Sequence, residues 1–550
     1  MKILLTAVNA KYIHTCPAIY SLKAYADSCG KPVPEILTAE YTINDRYQDV
    51  LSGILEKQAD VIAFSTYIWN TDYVCRLIRD IRRVRRQSVQ IWAGGPEASY
   101  TAETFLRRTG ADLVMLGEGE ETFALLAALT LTPAFPDDFP RCLGEETGGI
   151  AYLERGRLVH NGMAVPADLA AVPFMYGDLS AFSDRILYYE SSRGCPFGCA
   201  YCLSGRERGV RYRPLELVME ELRFFLERKV KQVKFVDRTF NASPGRALKI
   251  WNYIREHDNG VTNFHFEIEA DCMTEEELEL LSDMRPGLVQ LEIGVQSANP
   301  LTLGSVHRST SLDAVRRLME RLAPAQNINL HLDLIAGLPW EDLESFRASF
   351  QAVSDMRPNQ LQLGFLKVLP GTELSDRREE YGLVCSDYAP YEILRTKWLS
   401  FEDLALLHRV SDRVEEFVNS QGFRRSLPLA ETLFPGAFAM FEALAGYYRR
   451  SGYESRRPSV QQRYVIFTDF ISQVLEEHPE ISEHRKQMLL ETIRLDQALH
   501  VHPSRRMQNC LELNVDGRPR KYHVNYLHCS PVNGEAEYTE LKSGDSPSFP

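Results

Sequence analysis

The sequence predicts an α/β protein made of a doubly wound parallel sheet, a partial (β/α)6 barrel and a helical C-terminal region. Short apolar runs alternate with helical segments over residues 1–135, and a second alternation of six strand-helix units fills residues 181–375. From 376 to 529 the pattern is mostly that of amphipathic helices. A linker with a small hairpin is expected at 136–180, and a disordered tail at 530–550, which has few large apolar residues.

The N-terminal part contains five expected strands, at residues 3–8, 35–39, 61–65, 89–93 and 113–116. Parallel strands joined by helices place their carboxyl ends at one edge of the sheet, and such sheets bind their ligands beyond that edge. Glycines at this edge let the backbone approach a ligand closely, although glycine pairs also make ordinary tight turns. The glycines are Gly94, Gly95, Gly117 and Gly119.

The barrel strands are expected at residues 186–190, 233–236, 264–268, 288–293, 328–334 and 361–365. Function on such barrels gathers at the carboxyl ends of the strands. Each polar residue found there could be an ordinary hydrogen-bonded strand end, but together they outline one rim that could bind hydroxyl groups or a cationic ligand. They are Asp237, Glu267, Glu269, Glu292, Gln296, Ser297, His331 and Asp333.

The composition is that of an ordinary globular protein. Of 550 residues 44% are apolar and 25% are charged, and no apolar run is long enough to span a membrane, so a cytoplasmic location is expected. The net charge of -13 argues against a broad surface for nucleic acid or anionic membrane. The arginine-rich segment 76–86 is interpreted as an amphipathic helix with a solvated basic face, and a phosphate-binding or RNA-binding patch is the alternative.

Three cysteines in one short loop carry the strongest chemical signal. Cys195, Cys199 and Cys202 stand at positions i, i+4 and i+7, a spacing that can hold three corners of an iron-sulfur cube and leave one iron open. Two structural alternatives are chance core cysteines and a zinc site. Structural zinc sites usually need a fourth protein ligand, and the neighbouring sequence does not supply a second cysteine pair.

The spacing Cys-x3-Cys-x-aromatic-Cys, with Tyr201 as the aromatic residue, resembles the signature of the radical S-adenosylmethionine (radical SAM) enzymes. The resemblance implies that Cys195, Cys199 and Cys202 bind a [4Fe-4S] cluster whose open iron binds SAM. Reductive cleavage of SAM then gives a 5'-deoxyadenosyl radical, chemistry that belongs to the cofactor while the protein supplies placement. The same resemblance implies a protein reductant such as flavodoxin or ferredoxin.

Three later segments, at 269–271, 294–297 and 333–339, resemble the strand motifs of the radical SAM branch that includes oxygen-independent coproporphyrinogen oxidase. The resemblance implies that Glu269, Gln296 and Asp333 contact the SAM ribose and that Arg308 contacts the SAM carboxylate. It also implies that Tyr201 lies near adenine and, on a looser match, that Asp237 lies near the methionine amino group.

The order Gly-Gly-Pro-Glu at 94–97, Gly-Glu-Gly-Glu at 117–120 and then the cysteine loop is similar to the cobalamin-binding radical SAM enzymes. This resemblance implies that the glycines Gly94, Gly95, Gly117 and Gly119 bind cobalamin. The sequence lacks the Asp-x-His-x-x-Gly motif of other cobalamin proteins, and His14 is the only histidine before residue 150. An imidazole below the cobalt is therefore not expected unless His14 supplies it. A degenerate domain that binds nothing is the alternative.

The leading hypothesis is a cobalamin-dependent radical SAM methyltransferase that acts on an unactivated carbon of a small molecule or peptide. One alternative keeps both cofactors but catalyses rearrangement or cyclisation. Another is tRNA methylthiolation, for which Cys16, Cys29 and Cys75 lack the motif of a second cluster. A non-catalytic sensor of cobalamin or of the cluster is the third.

Overall fold

A computed structural model describes residues 1–86, 88–132, 135, 148–206, 209–454, 456–501, 510–515, 518–532 and 535–541. The fold class expected from the sequence is confirmed, with an N-terminal parallel sheet, a parallel six-stranded barrel sheet and a helical C-terminal region. Within the described residues, no helix combines the length and apolarity that crossing a membrane requires.

The first sheet has the strand order β2-β1-β3-β4-β5-β6-β7. Its first five strands are parallel, whereas β6 and β7 form an antiparallel hairpin that extends the same sheet. The strands are β1 (Lys2–Asn9), β2 (Glu35–Thr42), β3 (Val61–Ser65), β4 (Gln90–Gly94), β5 (Leu113–Met115), β6 (Ile150–Glu154) and β7 (Arg157–His160). The helices are α1 (Pro17–Ser28), α2 (Tyr47–Glu56), α3 (Thr71–Arg85), α4 (Pro96–Tyr100), α5 (Ala102–Thr109) and α6 (Glu120–Leu129).

Helices cover both faces of this sheet, which is why its central strands are continuously apolar. One core contains the apolar faces of α2, α3 and α5, and the other contains those of α1 and α6. The arginine-rich segment lies on α3, whose buried face includes Leu77, Ile78 and Ile81. Its Arg82 pairs with Asp112 of the same domain, as expected for an amphipathic structural helix.

The barrel sheet has the order β15-β14-β13-β12-β11-β8, and all of its strands are parallel. The strands are β8 (Leu187–Tyr189), β9 (Ser192–Cys195), β10 (Gly209–Tyr212), β11 (Gln232–Phe235), β12 (Asn263–Ile268), β13 (Val289–Gln296), β14 (Asn329–Ala336) and β15 (Gln360–Phe365), of which β9 and β10 form a separate hairpin. The helices are α7 (Leu215–Glu227), α8 (Pro244–Glu256), α9 (Glu275–Ser282), α10 (Pro300–Ser305), α11 (Leu312–Leu322) and α12 (Leu343–Ser354).

Side chains alternate along the barrel strands between the helix layer and the bore. On β14 the buried Leu330, Leu332 and Leu334 alternate with His331 and Asp333. On β13 the burial pattern likewise alternates between buried and half-buried residues. The bore therefore carries polar groups, while the leucines pack in the large hydrophobic core of the barrel.

Both edges of the six-stranded sheet are covered. Beside β8, the backbone N–H of Ile186 donates to Ile13 of the N-terminal domain at 2.8 Å, and His14 pairs with Ile186 in an isolated parallel bridge. Beside β15, the side chain of Asn419 accepts from the N–H of Leu361 at 2.8 Å and donates to its carbonyl at 3.1 Å. Asn419 thereby replaces a neighbouring strand, since unpaired strand edges would otherwise be open to association.

The C-terminal region packs on the barrel through the same core. Its helices are α13 (Glu373–Asp376), α14 (Phe401–Val414), α15 (Ser426–Glu431), α16 (Ala437–Arg450), α17 (Val460–Glu477) and α18 (Glu483–His500). Its strands are β16 (Val384–Cys385), β17 (Ile393–Arg395), β18 (Cys510–Val515), β19 (Arg518–Cys529) and β20 (Ala536–Leu541).

The expectation of a disordered tail over 530–550 is wrong for Ala536–Leu541. These residues form β20, which pairs antiparallel with β19. Backbone pairing and the contact between Tyr522 and Tyr538, whose ring centroids are 6.0 Å apart, stabilise a segment of low apolar content. Residues 542–550 lie outside the described residues.

Candidate active site

The cysteine loop connects β9 to β10, with Cys195 at the end of β9 and Cys199 and Cys202 in the turn that follows. Two glycines fix its path. Gly194 has a φ of +93°, and a Cβ there would collide with the carbonyl oxygen of Gly209. A Cβ on Gly205 would lie 2.6 Å from the carbonyl oxygen of Cys199, closer than real Cβ contacts allow. The loop conformation is therefore set by backbone packing.

The loop brings three thiols together, one fewer than the four protein ligands that a structural zinc site usually takes. Three thiolates suit a cube that takes one thiolate at each of three corners. Cys199 is 7% exposed, and its sulfur lies 3.9 Å from a guanidinium nitrogen of Arg308. The sulfur of Cys195 lies 3.5 Å from the hydroxyl of Thr239.

Arg308 joins the cysteine loop to the ends of two barrel strands. Its guanidinium lies 2.6 Å from the carboxylate of Glu269 and donates to the carbonyl of Gly294 at 2.6 Å. Glu269 also accepts from the hydroxyl of Thr310 at 3.0 Å. Three of the residues that the sequence assigns to SAM, namely Glu269, Gln296 and Arg308, therefore meet beside Cys199.

Gln296 ends β13 in the left-handed region, with a φ of +70°, which is uncommon for a residue with a side chain. Its side-chain amide occupies the space that a Cβ on Gly294 would need. Its oxygen is buried and makes no hydrogen bond to any described residue. The strained backbone of Gln296 and its unused, buried side-chain oxygen fit a site that binds a hydroxyl-bearing ligand.

A buried carboxyl group supports the turn after Gln296. Glu341 is fully buried and accepts from the hydroxyls of Ser297 at 2.6 Å and Ser349 at 3.0 Å. The Ser349 hydroxyl in turn accepts from the N–H of Ala298 at 2.9 Å. Burial raises the pKa of Glu341 to about 7, because the neighbouring hydroxyls compensate only part of the loss of water.

Tyr201 and Asp237 have different surroundings. Tyr201 packs against Cys199 and Arg308, and burial raises its pKa well above the ordinary value. Asp237 is only 1% exposed, and its carboxylate accepts from the N–H and hydroxyl of Ser191 and the hydroxyl of Ser192 at 2.6–2.9 Å. The structure thus places Asp237 beneath the start of β9, where it orients the strand that carries Cys195.

Asp333 lies in the bore. Its carboxylate is 3.0 Å from the imidazole of His331, and the same strand face continues to Glu292 on β13. In the register of β13 and β14, Asp333 stands opposite Gly294, whose carbonyl accepts from Arg308. Contacts to His265 and Lys234 outweigh the effect of burial and lower the pKa of Glu292 to about 2.

A cavity of about 940 Å³ separates the N-terminal domain from the barrel, a size at the upper end for cofactor sites. The N-terminal domain contributes the carboxyl ends of its strands, including Gly94, Gly95, Gly117 and Gly119. The barrel side contributes residues 188–190 and 192–194, just before the cysteine loop. Gly95 must be glycine, because its φ is +98° and a Cβ would lie 2.5 Å from the carbonyl oxygen of Thr66.

The walls of this cavity suit a large, largely apolar cofactor. Tyr67 and Trp69 lie in the loop after β3 with stacked rings 4.3 Å apart, and Trp69 is 45% exposed. His14 is the one histidine among the described cavity-lining residues, and its Nδ1 lies 2.7 Å from the hydroxyl of Tyr188. Burial and the neighbouring lysines lower the pKa of His14.

Arg193, two residues before Cys195, links the two domains. Its guanidinium lies 2.9 Å from Glu118 and 2.5 Å from Glu120 of the N-terminal domain, and 2.8 Å from Glu190 of the barrel. The Arg193 side chain is only 16% exposed. Although burial opposes it, pairing with Arg193 lowers the pKa of Glu120. The Gly-Glu-Gly-Glu segment therefore has two roles, since its glycines line the cavity and its glutamates hold the cysteine strand.

Sequence reasoning did not assign Arg193, Glu118, Glu120 or Glu341 to the site. The signal that could have indicated the first three is a pair of acidic residues at one strand end and an arginine directly before the cysteine motif. Opposite charges at predicted functional edges of two domains are candidates for an interdomain ion pair.

Comparison with known proteins agrees with this geometry. The model described as "B12 binding domain" matches residues 4–127, and that of the "Radical SAM superfamily" matches residues 189–353. The chain has the domain architecture of the cobalamin-dependent radical SAM enzymes. Residues 379–528 match the family described as "Protein of unknown function (DUF4080)".

Two relatives and one solved structure illustrate the range of similarity. The cobalamin-dependent radical SAM methyltransferase TokK of Streptomyces tokunonensis is 26% identical over 61% of this chain and 51% of its own length. The chain thus spans about half the length of that relative. A tRNA-2-methylthio-N(6)-dimethylallyladenosine synthase of Herpetosiphon aurantiacus is 26% identical over 33% of this chain and 44% of its own.

The solved structure is that of OxsB, a cobalamin-dependent S-adenosylmethionine radical enzyme, with aqua-cobalamin and S-adenosylmethionine bound. It shares the fold with a TM-score of 0.60 and 16% identity, over 90% of this chain and 79% of OxsB. The radical SAM domain implies a [4Fe-4S] cluster and SAM, and the B12 domain implies cobalamin. The cysteine loop, the unused acceptor of Gln296 and the glycine-lined cavity fit these groups.

The tight packing of Gly205 generates a prediction about cluster loading. Gly205→Ala places a methyl group against the carbonyl of Cys199, so the loop must shift and the iron and sulfide content after anaerobic reconstitution should fall severalfold. The matched control is Gly245→Ala, because nothing lies within 4 Å of a Cβ there. Equal iron content in the two variants would contradict this role of Gly205.

The interdomain ion pairs generate a prediction about stability. Arg193→Gln leaves the carboxylates of Glu120 and Glu190 without their cation, whereas Glu118 keeps Arg211, and it should destabilise the chain by about 3–5 kcal/mol, seen as a lower midpoint of thermal unfolding. Arg107→Gln removes an ion pair whose side chains are 50% and 51% exposed, and this control should cost no more than about 1 kcal/mol. Similar losses in both variants would mean that burial of Arg193 has no energetic consequence.

The raised pKa of Glu341 generates a pH prediction. The folded state favours the neutral acid, so Glu341 lowers stability as pH rises above 4.5, its ordinary pKa, toward the folded value of about 7. Glu341→Gln removes this titration. The free energy of unfolding of Glu341→Gln, taken relative to that of wild type, should therefore be about 2 kcal/mol higher at roughly pH 8 than at roughly pH 5. Urea unfolding at the two pH values measures this gain.

The control for this experiment is Glu344→Gln, which changes a side chain that is 81% exposed. It should shift stability equally at both pH values. A stability difference between Glu341→Gln and wild type that does not change with pH would disprove the assignment.

Proposed function

We propose that this chain is a cobalamin-dependent radical SAM methyltransferase that transfers a methyl group to an unactivated carbon of a small-molecule or peptide substrate. The observation that carries the proposal is the position of the 940 Å³ cavity. Glycines of the B12 domain line one side of it, and the strand leading to Cys195 lines the other. A corrin there and SAM on the cluster would face a common space, as methyl transfer between them requires.

The thiolates of Cys195, Cys199 and Cys202 would hold the cluster in this proposal. The guanidinium of Arg308 is placed to bind the SAM carboxylate, because it lies next to Cys199 and is already oriented by Glu269. The unused side-chain oxygen of Gln296 accepts from a ribose hydroxyl. Tyr201 packs near adenine, and Asp237 acts indirectly through Ser191 and Ser192.

Cobalamin, when bound, supplies a cobalt centre that accepts and donates a methyl group, and the cluster supplies the electron that cleaves SAM. The chain places these groups and keeps water out. Arg193 fixes the separation of the two sites by holding Glu118 and Glu120 on one side and the strand of Cys195 on the other. A low-potential donor such as flavodoxin or ferredoxin would supply that electron.

The tRNA methylthiolation hypothesis requires a second cluster on N-terminal cysteines. Cys75 lies in the core on the α3 side of the sheet, whereas Cys16 and Cys29 pack with the core on the α1 side. Because the sheet separates them, these three thiols cannot share one cluster. This placement favours carbon methylation, although a relative named as a tRNA-2-methylthio-N(6)-dimethylallyladenosine synthase matches 33% of the chain.

Rearrangement and cyclisation would use the same placement of the two cofactors. They differ from methylation because they do not transfer the methyl group of SAM. The anaerobically reconstituted chain, loaded with cobalamin and given SAM with a deuterated methyl group and a chemical reductant, should transfer the label to the corrinoid. Label that stays with SAM and its methionine fragment would favour rearrangement, cyclisation or the sensor hypothesis.

Single alanine substitutions of Cys195, Cys199 and Cys202 should abolish formation of 5'-deoxyadenosine from SAM, since each removes one ligand of the cluster. The matched control is Cys272→Ala, a half-buried thiol in the turn after β12. It should retain wild-type cleavage. Undiminished cleavage in the motif variants would refute the proposed radical chemistry.

A further inference from the structure

The bore of the barrel contains a second group of metal-ligand side chains, separate from the cysteine loop. His331 and Asp333 stand at i and i+2 on β14, so both point into the bore. Glu292 on β13 stands directly opposite His331 in the register of the parallel pair. Two residues of one strand and one of its neighbour thus converge from adjacent positions on one face of the sheet.

The ligand atoms of these three residues all lie within 4.8 Å of one another. His331 is 8% exposed, and its Nε2 lies 3.0 Å from Oδ1 of Asp333. With Glu292 opposite, this contact places one imidazole nitrogen and two carboxylates together in the bore, as neighbouring ligands of one ion would be placed.

A second layer of side chains orients Glu292. Lys234 donates to its Oε2 at 3.1 Å, and Nε2 of His265 lies 2.9 Å from the same oxygen. Both contacts use Oε2, which leaves Oε1 for another partner. Ligating carboxylates in metal sites are commonly held in this way by groups around them.

We propose that Glu292, His331 and Asp333 bind a divalent first-row cation, such as Mn²⁺ or Fe²⁺, in the barrel bore. One imidazole with two carboxylates suits these ions. A cation would also offset the negative charge in the bore, where Lys234 already pairs with both Glu267 and Glu292. Three protein ligands leave coordination positions open to water or to an oxygen of a bound molecule. This site assigns Asp333 to the cation rather than to the SAM ribose.

The site is independent of the proposed methyl transfer, and its test does not use activity. Enzyme carrying its cluster but no SAM is titrated anaerobically with Mn²⁺, and the EPR signal of free Mn²⁺ is recorded. Wild type should remove one Mn²⁺ per chain from solution, and added Zn²⁺ should displace it. His331→Gln and Asp333→Asn, which preserve side-chain shape, should each weaken binding at least tenfold, because each removes a ligand.

Glu267→Gln is the matched control. Glu267 stands opposite Glu292 on β12 and faces the same bore, but it lies outside the three-residue group, so Mn²⁺ binding should persist. The iron and cobalamin content of each variant verifies that the barrel has folded. Failure of wild type to bind Mn²⁺, or equal binding by wild type and both ligand variants, would overturn the proposal. Neither result would affect the proposed cluster or its SAM chemistry.

Discussion

The partial barrel exposes two strand edges, and the way they are covered organises the whole chain. A six-stranded parallel sheet does not close on itself, so β8 and β15 each present unpaired backbone groups. The N-terminal domain satisfies Ile186 of the first edge, and Asn419 of the C-terminal region satisfies Leu361 of the second. The flanking regions are therefore parts of the barrel's hydrogen-bonded structure.

This constraint explains why the cofactor sites adjoin. Pairing with Ile186 brings the loop after β1, and with it the ligand-binding edge of the B12 domain, to the open side of the barrel. Arg193 then fixes the remaining freedom by contacts with acidic residues of both domains. Buried pairs of this kind add little net stability over apolar packing, but they penalise every arrangement that leaves the charges unpaired.

Local patterns in the sequence predicted what is local in the structure. The cysteine spacing predicts a cluster-binding loop because all three thiols lie close together in the sequence, and the alternation of strands and helices predicted both sheets. Strand-end position did not reveal side-chain direction: Asp237 turns inward to Ser191, and Asp333 turns into the bore toward His331. Arg193 and Glu118 are 75 residues apart and pair only after two domains dock. The strand Ala536–Leu541 depends on β19, which its own composition does not indicate.

The position of Arg193 connects the two candidate cofactor sites. Arg193 belongs to the strand that ends at Cys195, and its guanidinium contacts the loop that lines the interdomain cavity, so a change in the order of one site would affect the other. Such coupling is reciprocal: if cluster assembly tightens corrinoid affinity, corrinoid must tighten the hold on iron by the same factor. With both groups bound as proposed, a chain that loses its cluster would also hold the corrinoid less tightly.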